Sequence, residues 1–198
     1  MSKVWRDGSL RPGDAEPGSF PEGARLFETI ALRAGRVERL DDHLTRLGGG
    51  LRHLGSLPGP LASGDIGAWR AAVRGLGARD AILRLVVGEG FEELSARPLL
   101  ASPPVFQLVT LRTLRDGPEW LPRPKAAPWA NSLAATRELR SLGVPGGVEG
   151  VQLDGHGWVS ECTRSSLAWV MGGRLQVPAA STGRLPGTAL GQLVACAR

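Results

Sequence analysis

Three prolines within ten residues, Pro98, Pro103 and Pro104 in SARPLLASPP, interrupt the chain near its midpoint. Proline lacks a backbone N–H and restrains the residue before it, so neither a helix nor a paired strand passes easily through such a stretch. The 198 residues suffice to bury a core either in one domain or in two compact halves. The proline stretch favours two: 1–102, a small N-terminal α/β domain that includes the linker, and 103–198. Strand and helix patterns mingle on both sides of it, which predicts an α+β fold.

In the first half, residues 25–32 (RLFETIAL) read as a strand closed by a turn at Ala34-Gly35, and residues 36–40 as its returning partner. Asp41 and Asp42 are expected to cap a helix with Leu44, Leu47, Leu51 and Leu54 on one face, weakened in its middle by Gly48, Gly49 and Gly50. A second helix is expected over 66–76 and a β-branched strand over 81–87. The first twenty residues have no apolar segment of the secretory kind and read as a loose Pro/Gly-rich leader.

In the second half a strand resumes over 105–111. Four prolines between 116 and 128 demand a loop, which leads into a helix over 130–142. Asp154-Gly155-His156-Gly157 turns one hairpin (148–153 with 158–159), Gly172-Gly173 turns another (167–170 with 174–177), and a final helix starts near Thr188.

The net charge is +5, spread thinly over arginines such as Arg33, Arg36, Arg39 and Arg52. Without a basic run or aromatic–basic interleaving it points to no nucleic-acid partner. No apolar stretch reaches the length of a membrane span. Cys162 and Cys196 fit neither a disulfide framework nor a metal site, so the expected compartment is a reducing cytoplasm. Of 24 basic residues only Lys3 and Lys125 are lysine. In a chain where plain positive charge goes to arginine, an internal lysine invites a reason that arginine cannot meet. Lysine can form a Schiff base and give up its proton, and arginine can do neither. On composition alone, an ordinary surface lysine stands as an equal reading of Lys125.

The stretch LFETIALRAGRVERLDDHLTRL resembles the opening of the class-IV aminotransferases, where a Phe-Glu-Thr strand and hairpin precede a His-Leu-x-Arg-Leu helix. Further blocks follow in that family's order: Lys125 ahead of a helix, a Leu-Asp-Gly-x-Gly turn with VSECTRSSL, and GRLPGTALGQLV. Each is weak alone; together they cover roughly residues 25–195. The resemblance implies the two-domain scaffold of fold-type-IV pyridoxal-phosphate enzymes, C-terminally shortened, with 103–198 as the cofactor-binding domain and a homodimer as the usual assembly. It also implies a cofactor, pyridoxal 5'-phosphate, held as an aldimine on Lys125. Glu161 would face the pyridine nitrogen. Arg46 and the helix start at Gly187, Thr188 and Ala189 would take the phosphate.

Each residue has a plainer reading: Glu161 as a strand-end glutamate, Arg46 as a solvated helix arginine, and Gly187 as an ordinary turn. His43 is expected to pack or cap rather than touch cofactor. Phe27 and Thr29 are candidates for substrate contact, with core packing an equal reading for Phe27. The chain departs from the family pattern at Ser166 (usually asparagine), at Pro128 and Trp129, at Ala189 (usually threonine) and at Leu190 (usually arginine).

The resemblance implies an enzyme, with an aminodeoxychorismate lyase-like reaction as first expectation: Lys125 removes the α-proton, and elimination yields p-aminobenzoate and pyruvate. An aminotransferase for branched-chain or D-amino acids is the second reading, and a non-catalytic module on the same scaffold the third.

Overall fold

The computed structural model describes residues 2–13, 20–99, 101–115, 124–126 and 130–197. By internal contacts the chain forms two compact units, Met1–Leu100 with Pro124–Pro128, and Ala101–Arg123 with Trp129–Arg198. The segment carrying Lys125 therefore groups with the first half of the chain, whereas the sequence reading places it in 103–198. Most of the proline-rich loop expected between 116 and 128 lies outside the described residues.

The first unit is built on a six-stranded sheet in the order β2-β1-β6-β5-β3-β4. Its strands are β1 (Ser2–Arg6), β2 (Ser9–Gly13), β3 (Ala24–Arg33), β4 (Arg36–Val37), β5 (Ala81–Gly88) and β6 (Glu92–Pro98). All neighbouring pairs run antiparallel. The N-terminus is not a loose leader but an edge hairpin. Asp7 and Gly8, at φ 48° and 81°, make the tight turn that an Asp-Gly pair favours, and Val4 pairs with Ser95 of β6. The supposed linker also begins later than expected: residues 95–98 continue β6 in register with β5, ending at the pair Ala81–Pro98. Pro98 is tolerated there because it ends the strand.

Helices α1 (Leu40–His53) and α2 (Ile66–Leu76) pack on one face of the sheet. The core includes Leu26, Ile30 and Leu32 from β3, Leu47 and Leu51 from α1, Trp69 and Ala72 from α2, and Leu83, Leu85 and Leu94. Helix α1 is not capped by its aspartates. Its N-cap is Arg39 at φ 50° with no side-chain cap, and Asp41 and Asp42 sit in the first turn, where negative charge suits the helix dipole. Nor do the three glycines break it. A Cβ on Gly50 would lie 3.0 Å from both Leu26 and Pro124, so the missing side chain lets α1 press against β3 and the lysine segment. Asp65 caps α2 by accepting from Ala68 N, and Gly77 closes it at φ 64°.

In the second unit β7 (Gln107–Thr110) runs parallel to β8 (Val148–Leu153), with α3 (Ala130–Ser141) between them in sequence, and β9 (Val159–Cys162) returns antiparallel to β8. A separate hairpin, β10 (Trp169–Met171) with β11 (Arg174–Gln176), precedes a short 3-10 turn at Ala180–Thr182 and helix α4 (Thr188–Cys196). Leu111, Ala135, Leu139 and Val148 form a small apolar cluster. Among the described residues no helix is long and apolar enough to cross a membrane, and no group of three His, Cys, Asp or Glu could hold a metal.

Candidate active site

Lys125 is placed by its backbone. Its carbonyl accepts from Phe27 N at 2.9 Å, and Ala126 bridges to Leu26, so residues 124–126 lie along β3. Alternation along this short extended piece sends Pro124 and Ala126 toward the helix side, against Gly50 and the core. Lys125 points the other way: its Nζ stands 4.9 Å from the centre of the Phe27 ring, within reach of a cation–π contact. Thr29 shares the strand face of Phe27 and pairs across β5 with Arg84. The Arg84 guanidinium lies 4.7 Å from the Phe20 ring and 5.4 Å from that of Phe27. Burial, and the nearby charge of Arg97, hold Arg84 below the usual arginine range. The same face carries a cavity of about 320 Å³ lined by Arg6, Arg11, Phe20, Arg84 and Glu93, among others. A larger one, of about 540 Å³, lies elsewhere, between Trp5, Phe91 and the 57–61 loop.

Arg46 is on the opposite side of β3. Glu28, fully buried, takes its Nε on Oε1 at 2.8 Å and its Nη2 on Oε2 at 2.5 Å, and His43 Nδ1 stands 2.7 Å from Oε2. Burial drives the Glu28 carboxyl up, but the hydrogen bonds and charges of Arg46 and His43 outweigh it and leave the group below the ordinary carboxylate value. Arg46 is thus one arm of a buried ionic cluster rather than a solvated helix residue, and His43 packs there as expected. The resemblance did not single out Glu28, although it is the middle residue of the Phe-Glu-Thr block. Its charge in an otherwise apolar alternation, Leu26-x-Glu28-x-Ile30, was the available signal.

In the second unit Glu161 lies on β9, 5% exposed. Its Oε2 accepts from Leu185 N at 3.1 Å. Its Oε1 lies 2.7 Å from Arg115 Nε, but that N–H is directed at Gly183 O at 3.3 Å. Oε1 is therefore charge-paired without an aligned donor among the described residues. Glu161 is no exposed strand-end glutamate. Gly187, at the N-cap of α4, has no room for a side chain, since a Cβ there would overlap Ser166 Oγ. Thr188 opens α4 and Ala189 is exposed in its first turn. The structure thus brings Lys125 together with Phe27, and Arg46 with Glu28, in the first unit; Glu161 and residues 187–189 belong to the second.

Residues 25–198 match the family "Amino-transferase class IV". The chain belongs to the class-IV aminotransferase family. Among solved structures it is similar to the 4-amino-4-deoxychorismate lyase of Pseudomonas aeruginosa, with 27% identity, a TM-score of 0.75, 98% of this chain covered and 77% of that one. It is also similar to the branched-chain aminotransferase of Thermoproteus uzoniensis solved with norvaline (25% identity, TM-score 0.80, 99% and 74% covered). The PLP-form of the branched-chain aminotransferase of Thermobaculum terrenum shares the fold at 20% identity, with a TM-score of 0.77 and 100% and 73% covered. No curated protein sequence matches the chain. The expected α+β architecture of the fold-type-IV scaffold stands.

Proposed function

We propose that this class-IV aminotransferase family member is a pyridoxal-phosphate-dependent enzyme whose reaction is of the aminodeoxychorismate lyase type. The observation that carries the reading is the placement of Lys125: the one internal lysine of the described chain is pinned through its own carbonyl to β3, with its amine over Phe27. The donor set suits a phosphorylated pyridine aldehyde. It offers an amine, a buried carboxylate oxygen lacking an aligned donor, and a helix start with a glycine that admits no side chain.

When bound, the cofactor supplies an aldehyde for the substrate amine and an electron-withdrawing ring that acidifies the α C–H. In this proposal Lys125 Nζ holds the cofactor and carries the α-proton. Glu161 accepts the hydrogen bond of the ring nitrogen. The backbone N–H groups opening α4 at Gly187, Thr188 and Ala189 would bind the phosphate; Arg46, the other phosphate candidate, has its Nε and Nη2 committed to Glu28 on the face of β3 away from Lys125. Phe27 and Thr29 face the substrate, and Arg84, beside them, offers charge to a substrate carboxylate.

The branched-chain aminotransferase reading has its own support in the TM-score of 0.80 to the Thermoproteus uzoniensis enzyme. Product analysis separates the two: pyruvate and p-aminobenzoate from aminodeoxychorismate support the lyase, and keto-acid-dependent amino transfer supports the alternative. Cofactor uptake with neither activity favours a module that kept only the scaffold.

A homodimer in a reducing cytoplasm completes the proposal. Exposed Trp158, Val170 and Met171 supply apolar surface for a partner copy, and both cysteines are free thiols. Light scattering at micromolar concentration is expected to give twice the monomer mass, and a monomer alone contradicts the dimer.

A further inference from the structure

Arg115 follows β7, and nothing in the sequence marked it, yet it is only 2% exposed. A guanidinium in the interior is costly unless its surroundings compensate it, so its partners indicate what it is for. Its backbone N donates to Leu153 O at 2.7 Å, which fixes the residue at the end of β8. From there Nη1 donates to Asn131 Oδ1 at 3.1 Å and Ser132 Oγ at 3.3 Å in the first turn of α3, and Nε donates to Gly183 O at 3.3 Å. Asn131 is itself fixed: its Nδ2 donates to Leu114 O at 2.7 Å, and its Oδ1 also accepts from Gln152 Nε2 at 3.0 Å. Gln152, fully buried, is the partner of Glu161 across the β8–β9 ladder.

The guanidinium thus stands against Glu161 Oε1 at 2.7 Å while its aligned N–H groups go to other acceptors. The second oxygen of Glu161 is held by Leu185 N, two residues beyond the carbonyl that Arg115 grips. One cation therefore fixes both the charge beside Glu161 and the loop that clamps it, and leaves Oε1 without an aligned donor among the described residues. A pair arranged for stability alone would direct the Nε–H at the carboxylate, as Arg46 does with Glu28.

We infer that Arg115 is a positioning residue, which holds Glu161 so that Oε1 is presented to the ring nitrogen of pyridoxal phosphate; this rests on the function proposed above. Lysine at 115 would keep the charge but cannot span the acceptors at Gly183, Asn131 and Ser132.

The test is a double-mutant cycle read by absorbance titration of the full chain with pyridoxal phosphate, beside the unfolding midpoint without cofactor. Arg115→Lys is expected to raise the cofactor Kd about tenfold in the parent and less than about twofold in Glu161→Gln, as coupled neighbours do. Equal loosening in both backgrounds, or none in the parent, overturns the inference, because a purely structural role is indifferent to Glu161. Should Arg115→Lys fail to fold, Asn131→Ala, which removes an acceptor of Nη1, is expected to loosen binding about threefold by the same Glu161-dependent route. An Asn131→Ala protein with the parent's unfolding midpoint and unchanged Kd also overturns it. A parent that takes up no cofactor defeats the proposed function itself, whereas a parent that binds while these variants bind equally well defeats only the role of Arg115.

Discussion

The two units bury charge for different ends. In the first, the Glu28–Arg46–His43 cluster sits beside an apolar core that has fourteen buried members among the described residues, and both carboxylate oxygens receive aligned donors from Arg46. In the second, the apolar cluster has four buried members, and the Arg115–Glu161 pair leaves one oxygen without an aligned donor among the described residues. A carboxylate with both oxygens bonded contributes to the fold as it stands; in the function proposed above, the cofactor supplies the aligned donor that Glu161 Oε1 lacks among the described residues. The Glu28 cluster should therefore answer to mutation as part of a packed core, and the Glu161 pair should answer to cofactor.

The largest effect is expected at the lysine. Lys125→Arg keeps the charge over Phe27 and loses the nucleophilic amine, so turnover should fall by about 1000-fold or more, on the order of 4 kcal/mol of barrier, with little change in unfolding midpoint. A variant retaining a tenth of the activity would place the chemistry elsewhere.

Next comes Glu28→Ala. Removing the carboxylate takes the buried counter-charge from Arg46, which costs about 3–5 kcal/mol by urea unfolding. The same cluster sets an acid limb. The folded-state Glu28 carboxyl lies below its ordinary value, so its contribution is fully present above about pH 4.5 and is lost as pH falls through the folded value. Glu93 runs the opposite way. Burial raises it, Arg6 lowers it and Asp7 raises it, with a net rise, so its contribution is present below its unfolded value and lost as pH climbs through the folded one. Glu28→Gln should flatten the acid limb; a limb of unchanged steepness contradicts the assignment.

Cofactor should sharpen the contrast between the units. At about a hundredfold excess over Kd, pyridoxal phosphate is expected to stabilise the fold by about 2.7 kcal/mol. Hydrogen exchange should slow more at residues 183–189 than along β5, which the apolar core already protects. Equal slowing in both would mean that cofactor does not act preferentially on the loop that clamps Glu161. The smallest effect is Ala189→Thr, which adds one hydroxyl at the exposed first turn of α4 and should tighten cofactor binding several-fold, about 1 kcal/mol.

Much of the fold was legible because it follows local pattern. The Leu26–Leu32 alternation, the leucine spacing of α1, the Asp65-to-Gly77 helix and the Gly-bearing hairpins are each complete within about a dozen residues. The edge hairpin is hidden although Asp7-Gly8 carries its turn, because a sequence rich in Pro and Gly imitates a leader. Residues 95–98 read as linker because Pro98 and the Pro103-Pro104 pair signal a break, although these residues complete the hairpin that β5 begins across residues 89–91. The site divided in the same way. Lys125 and Glu161 stood out through family blocks, whereas Glu28 meets Arg46 eighteen residues away and Arg115 meets Glu161 across an intervening helix and strand. Ion pairs at such separations leave no periodic trace in a single sequence.

The most direct test of the lysine assignment is borohydride reduction of the cofactor-saturated protein followed by peptide mass spectrometry. With only Lys3 and Lys125 available the answer is nearly binary. The expected result is a single modified peptide containing Lys125, with loss of the reducible absorbance. Modification confined to Lys3, or no uptake at saturating pyridoxal phosphate, would contradict it.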